Sequence, residues 1–433
     1  MRNINFDISY IGILLVAFTL PFSMLTNNIA IIIGLLPILF AIAFDKQSRI
    51  LLITNIGKNK IALLFLAFAL LYIISGLIHW SEYDSLSILY HDIEKRAVFI
   101  VFPIIMAIVP MLSDEQNKKV FYSFFFGIFM SSVILFTIAA YLTTEVDSIN
   151  SISPRYGIIE NNFMYHRLGS YLDLHAVYYS CMVLMAFILV MAFTKIRFIK
   201  SNEQYRVLLI ITLLYLLVLL FLLKSAVILI GLMLIIGSYG AYHLFKARYK
   251  LGTVRMVFLV SLSIVLMTTF GFRVLDKIGD RGNFLSYNFT EPGGGQWNVV
   301  NLRIAKWDIT LRAISEHWLS GIGPGNIHPI LDSYYNKYNF KVALIEHYNP
   351  HNQFLDTFLT LGVIGFFIIL SIYAFSFYYS FKRTDLVWFL FMVGFTFFSM
   401  SESTLAVNKG IIFFTFFTCY FSYLPRSTST YFR

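Results

Sequence analysis

The chain has 433 residues, 58% of them hydrophobic and 13% charged, with a formal net charge of +10. Soluble domains carry about 25% charged residues, and half that share cannot furnish a polar exterior for a chain of this size. These values exclude a water-soluble globular enzyme, a nucleic-acid-binding module and a disordered chain. They leave a polytopic membrane protein, and its continuous apolar runs indicate helices rather than barrel strands.

A span needs about 20 apolar residues. Taken in chain order, the predicted spans are 8–25, 28–44, 60–78, 97–112, 120–143, 175–194, 207–223, 225–244, 256–272, 353–381, 386–401 and 408–424. The expectation is therefore an all-α polytopic membrane protein with about twelve transmembrane helices. The first run follows Met1-Arg2-Asn3 without a small-residue cleavage site, so it reads as a retained span and not a removed signal. The seventh and eighth spans are split at Lys224-Ser225, because 207–244 is too long for one helix across a ~30 Å core. Cys181 and Cys419 fall in apolar runs and read as small core residues, not as a disulfide or a metal pair.

Charge distribution sets the expected orientation. With the N-terminus in the cytoplasm, cytoplasmic segments hold 19 of the 33 basic residues and only 6 of the 23 acidic ones. Lys and Arg near short loops favour the inner side. The basic excess is thus an orientation signal and a contact with anionic lipid, not a nucleic-acid footprint. Three regions follow: spans one to nine over 1–272, with a shorter external loop at 144–174; a large external loop over 273–352; and the last three spans with a cytoplasmic tail over 353–433.

Loops beyond about 15 residues are uncommon unless they have a function. Within the large loop Ile304, Trp307, Leu311, Ile314 and Trp318 recur at helical spacing, with Arg303, Lys306 and Asp308 off the stripe. Such a helix suits the membrane interface. A second stripe follows at Ile327, Ile330, Leu331, Tyr334 and Tyr338. Pro292-Gly293-Gly294-Gly295 reads as a flexible turn.

The chain lacks Walker A, GxGxxG, HExxH, CxxC and Gly-x-Ser-x-Gly sequences. ATP-driven transport, zinc proteolysis and triad hydrolysis therefore have no support. There is also no Asp-x-Asp; Glu82-Tyr83-Asp84 is a loose acidic variant that reads as a solvated external loop rather than a metal site.

Candidate chemistry collects at the external side. Tyr348-Asn349-Pro350-His351-Asn352-Gln353 leads into the tenth span, and Pro350 suits a helix start. His351 there is either an interfacial cap or a general base, the positive helix end disfavouring imidazolium. Gly362 and Gly365 permit close packing of the same helix. Arg303 could hold a phosphate bidentately or touch lipid headgroups. Gly321-Ile322-Gly323-Pro324-Gly325-Asn326 is either an anion-binding nest of backbone amides or a plain turn between helices. The shorter loop carries Tyr165-His166-Arg167-Leu168-Gly169-Ser170 and Asp173-Leu174-His175. Lys224 either snorkels to headgroups, faces a polar cavity or sits in a hairpin turn.

Together these pieces resemble the O-antigen ligase and polymerase family of bacterial envelope membrane proteins. His351-Asn352, nine residues, then Gly362-Val363-Ile364-Gly365 is similar to the family's His-[Asn/Ser/Gln]-x9-Gly-x-x-Gly signature. Arg303-x-x-x-Trp307, the Gly321–Asn326 turn and the ~80-residue loop before the tenth span fit the same pattern. The resemblance covers about 160–430; the first five spans match only in kind. It implies metal-independent, inverting glycosyl transfer, without a cofactor, at the periplasmic face of the bacterial inner membrane. The implied donor is a glycan on undecaprenyl diphosphate, and the acceptor a lipid A–core sugar or, in a polymerase, another lipid-linked glycan.

In that scheme His351 takes the acceptor proton and Arg303 holds the leaving diphosphate, with Asn352, Trp307, Gly323, Gly325, Gly362 and Gly365 in support. The family usually carries a Ser-Arg pair where this chain has Leu223-Lys224-Ser225-Ala226. Lys224 supplies charge without the planar fork, and Arg167, in a stretch similar to the family's Arg-x-x-Gly segment, could contribute a second guanidinium. A non-enzymatic lipid or solute transporter is the rival from another class. It should show paired halves and mid-membrane charges, and no half-to-half similarity is evident.

Overall fold

The computed structural model describes residues 2–82, 86–109, 112–144, 162–197, 203–246, 287–289 and 297–424. Among these residues every regular element is a helix. The first half contributes α1 (Arg2–Thr19), α2 (Met24–Phe44), α3 (Lys46–Lys58), α4 (Lys60–Ile78), α5 (Leu86–Arg96), α6 (Val98–Ile108) and α7 (Asp114–Thr144). Next come α8 (Tyr165–Ser170), α9 (Ala176–Arg197), α10 (Glu203–Leu222) and α11 (Ala226–Lys246). The region after the undescribed stretch forms α12 (Val299–His317), α13 (Ile327–Lys337) and α14 (Lys341–Ile345), then α15 (Gln353–Lys382), α16 (Leu386–Ser401) and α17 (Asn408–Tyr423).

Four of these helices are long and apolar enough to cross a membrane: α2, α4, α7 and α15. Five shorter apolar stretches accompany them, in α1, α9, α10, α11 and α16. The break expected at Lys224-Ser225 is present between α10 and α11. The fourth expected span, 97–112, shrinks to the 11 residues of α6, and the ninth, 256–272, lies outside the described residues. Leu25, Ile29, Ile32, Ile33, Leu36 and Phe40 of α2 are exposed. So are Val207, Leu208, Ile211, Leu214 and Phe221 of α10. Apolar surface of that extent on one helix belongs against lipid; the chain is a membrane protein.

The last helix organises the bundle. Residues Lys409 to Ser422 of α17 are all buried, the condition of a helix that is apolar all round. It runs against α4, α5, α6, α9, α15 and α16. Its phenylalanines interlock with those of α16 and α7: Phe414 stacks on Phe395 at 4.6 Å, and Phe417 meets Phe124 edge-on at 5.1 Å. Such geometry adds roughly 0.5–1.5 kcal/mol per pair beyond burial. The Lys409 ammonium donates to Leu20 O (3.0 Å) and Ser23 O (3.3 Å), tying α17 to the turn between α1 and α2.

Helices α12 to α14 and the first turns of α15 enclose a second core around Ala305, Ile309, Ala313, Leu331, Tyr335 and Phe340. The expected helix is present, and an Asn298–Asn301 capping box starts it. Its buried face is rotated from the predicted stripe. Ala305, Ile309 and Ala313 face the core, whereas Leu311 and Trp318 remain exposed. Small residues on the buried side let α12 lie close against α15, which a count of large apolar side chains does not register. Lys306, expected off the apolar face, is on the buried one.

The glycine-rich turn is a main-chain clamp. Gly362 has φ +66 and ψ −164, interrupting α15. The carbonyls freed there accept bonds from the turn: Ile322 N to Leu359 O at 2.9 Å and Gly323 N to Thr360 O at 3.0 Å. Val363 N returns a bond to Trp318 O at 2.9 Å. Gly321 has φ +73, and a Cβ on it would lie 2.4 Å from Thr360 O; one on Gly362 would lie 2.2 Å from Leu319 O. Only glycine tolerates both the conformation and the approach. Of the two readings of this turn, the plain turn is the one these bonds favour, because the amides of Ile322 and Gly323 are spent on α15.

Candidate active site

The local sequence fixes the position of His351. Asn349 Oδ1 accepts from His351 N at 2.9 Å, turning the chain behind Pro350. Asn352 is the N-cap of α15, its side chain accepting from Phe354 N and Leu355 N. His351 itself sits just outside the helix with φ +47, a conformation uncommon for a non-glycine residue. The supporting role expected of Asn352 is thus a cap that aims its neighbour.

Beyond His351 the structure supplies a residue that the sequence did not single out. Glu402 ends α16, and its Oε2 lies 2.7 Å from His351 Nδ1. Arg303, from α12, donates through Nη2 to the other oxygen, Oε1, at 3.2 Å. Three segments far apart in sequence thus converge on one carboxylate. The side chains are largely withdrawn from solvent, with 25% of His351, 22% of Arg303 and 14% of Glu402 exposed. Burial pushes the Glu402 carboxyl up. The hydrogen bond with His351 and the charges of His351, Arg303 and Lys306 outweigh this and bring it below the usual carboxylate value.

With Nδ1 engaged by a carboxylate, the other imidazole nitrogen, Nε2, is the one left to accept a proton. Arg303 commits only Nη2 to Glu402, and its Nε is buried without a hydrogen-bond partner. A guanidinium has five donors, so capacity for an anion remains. Lys306 lies one helical turn beyond Arg303, only 3% exposed. Its ammonium stands 4.4 Å from the centre of the Tyr348 ring, and that ring meets His351 edge-on at 5.7 Å. Burial, with Arg303 adding to it and Glu402 opposing, lowers the Lys306 pKa to about 7. Trp307 is half-buried, and its indole nitrogen is buried without a partner.

A second wall comes from α8 and the start of α9. Tyr178 Oη donates to Ser403 O at 3.2 Å, tying that wall to the segment that carries Glu402. His166 and His175 are in ring contact at 4.2 Å. Burial lowers the His166 pKa against the opposing pull of Glu402. Both imidazoles line a cavity of about 660 Å³ with Lys95, Asp173, Tyr178 and Lys409, within the roughly 300–1,000 Å³ typical of small-molecule sites.

The other predicted residues are less closely engaged. Arg167 lies on α8 but is exposed, and the structure does not join its side chain to His351, Arg303 or Glu402. Lys224 is exposed in the turn between α10 and α11 with φ +46. Gly323 and Gly362 belong to the clamp, and Gly325 packs on Ile88, where a Cβ would come within 2.8 Å of Cγ2. Gly365 follows the interruption, its hydrogen in the place where a Cβ would strike Leu361 Cβ. Glu82 lies in a short 3-10 turn; Tyr83, Asp84 and Pro292-Gly293-Gly294-Gly295 lie outside the described residues. Cys181 and Cys419 are buried and free.

No curated protein matches the chain. A family model described as O-antigen ligase matches residues 211–370. The matched stretch contains Arg303, Lys306, Trp307, the clamp and His351, and stops short of Glu402. Over residues 211–370 the resemblance read from the sequence is therefore established: this part of the chain is a domain of the O-antigen ligase and polymerase family.

Proposed function

We propose that this protein is an O-antigen-ligase-type glycosyltransferase of the bacterial inner membrane, with its site facing the periplasm. The donor is a glycan on undecaprenyl diphosphate and the acceptor a hydroxyl of a lipid A–core sugar. The observation that carries this reading is the convergence of His351 and Arg303 on Glu402, within and beside the family-matched stretch.

The chemistry follows from those three groups. His351 Nε2 takes the proton of the acceptor hydroxyl as its oxygen bonds to the anomeric carbon. The bond from that carbon to the diphosphate oxygen breaks on the opposite face, inverting the centre, and its electron pair leaves with the diphosphate. Arg303 stabilises that developing charge. Glu402 holds the imidazole in register and balances the imidazolium formed. The sugar–diphosphate bond is already activated, so no nucleotide or metal enters the scheme. Holding two bulky lipids side by side removes much of the entropic cost of encounter.

A polymerase would use the same residues to lengthen a chain still attached to the carrier, and the product separates the two. Purified protein is reconstituted with lipid-linked oligosaccharide and either lipid A–core or further carrier-linked glycan, and the products are resolved on gels. Glycan on lipid A–core supports the ligase, and a longer carrier-linked chain redirects the reading to a polymerase. Normal transfer by a well-inserted His351→Ala variant refutes the base assignment. Absence of transfer to either acceptor favours a non-enzymatic transporter.

A further inference from the structure

Arg303 and Lys306 stand three residues apart on α12, a spacing that puts both on one face of a helix. Two cationic side chains and an imidazole therefore share one carboxylate, Glu402, which is already bonded to Arg303 and His351. Among the described residues no carboxylate lies within 4.0 Å of the Lys306 ammonium. The nearest partner is the Tyr348 ring face at 4.4 Å. Burying a lysine without an anion is costly, and a single cation–π contact offsets only part of that cost. With Lys306 protonated, the cluster thus holds more positive charge than its own residues neutralise.

We propose that Lys306 is a second cation of the donor site, which together with Arg303 receives the diphosphate of the carrier lipid. This rests on the reading of the site as one for a lipid-linked diphosphate, and adds to it a residue that the Arg-x-x-x-Trp pattern leaves unspecified. The donor completes the missing half of the charge balance. Tyr348, held through its carbonyl by Tyr335 Oη at 3.1 Å, spaces the ammonium from His351 so that leaving group and base do not collapse onto one another.

The groups facing Lys306 are Arg303 from its own helix, Glu402 from the end of α16, and Tyr348 from the segment before α15, whose ring in turn meets His351. Against this background burial brings the empty-site lysine to about 7. A bound diphosphate favours the ammonium, so binding above neutral pH draws a proton onto Lys306. A lysine that merely props Tyr348 predicts no such uptake.

The test uses the full chain in nanodiscs, titrated calorimetrically with undecaprenyl diphosphate at pH 8 in two buffers of different ionisation heat. The wild type is expected to bind with uptake approaching about one proton. Lys306→Arg, whose charge is permanent, should bind without that uptake. Lys306→Met should bind about tenfold more weakly or worse. Uptake that persists in Lys306→Arg comes from His351 and overturns the proposal, as does wild-type affinity in a folded Lys306→Met. Where Lys306→Met does not fold, absence of uptake by the wild type overturns it equally. Failure of the wild type to bind undecaprenyl diphosphate at all sinks the underlying reading instead.

Discussion

Glu402 Oε2 lies 2.7 Å from His351 Nδ1, although 51 positions separate the two residues in the chain. A carboxylate in that place orients the imidazole and offsets the charge it acquires on taking a proton. Glu402→Gln keeps the shape and removes the charge. It is expected to lower kcat by roughly 10²- to 10⁴-fold while changing the donor KM far less. Steady-state kinetics on the reconstituted enzyme read the split; an equal change in both would recast Glu402 as a binding residue.

Arg303→Lys retains a positive charge and loses the planar fork. A fall of about 10- to 100-fold in kcat/KM is expected, since in the proposed scheme those contacts hold the leaving diphosphate. Turnover at the wild-type level would assign Arg303 to lipid headgroups.

Glu402 also makes stability depend on pH. Its carboxyl is more acidic in the folded protein than the ordinary value, so the folded state binds fewer protons than the unfolded chain around that value. The resulting stabilisation is complete above the unfolded carboxyl value of about 4.3 and drains away as pH falls through the lower folded one. Thermal unfolding in detergent should therefore show the gap between wild type and Glu402→Gln closing as the solution is acidified. A gap that stays constant down to about pH 3 contradicts the assignment.

The clamp predicts a contrast among glycines. Gly362→Ala places a methyl group 2.2 Å from Leu319 O at a residue with φ +66, and should cost on the order of 2–3 kcal/mol or more. Gly57→Ala, on exposed α3 with nothing near its would-be Cβ, should be neutral or stabilising by roughly 0.5–1 kcal/mol. Unfolding midpoints of the two variants in detergent check the order; equal midpoints would remove the clamp from the account.

Much of this site was legible because it rests on local chemistry. Pro350 and Asn352 announce the start of α15, and the spacing from Arg303 to Trp307 falls within one amphipathic helix. Glu402 escaped because nothing around it is unusual: one acid between two apolar helices reads as a solvated loop. Its meaning comes from the packing of α16 and α17 against α15, a long-range event without a periodic signal. Lys306 reads as lying off the apolar face because the buried side of α12 rests on Ala305, Ile309, Ala313 and Ile314, only the last of which belongs to the stripe of large apolar residues. The Gly321–Asn326 turn reads from sequence as a nest or a plain turn, and its partner lies 37 residues ahead, in a helix that no pattern marks as interrupted.

The three bonds between residues 318–323 and 359–363 all run from main chain to main chain. Side chains along both strands of that junction can therefore change without altering its register, provided the glycines remain. Arg303 and His351 stand on the two segments that lead into this junction and meet at one carboxylate, so main-chain geometry helps to set the separation of guanidinium and imidazole. Residues in the flanking walls can then vary while the spacing between Arg303 and His351 stays as it is.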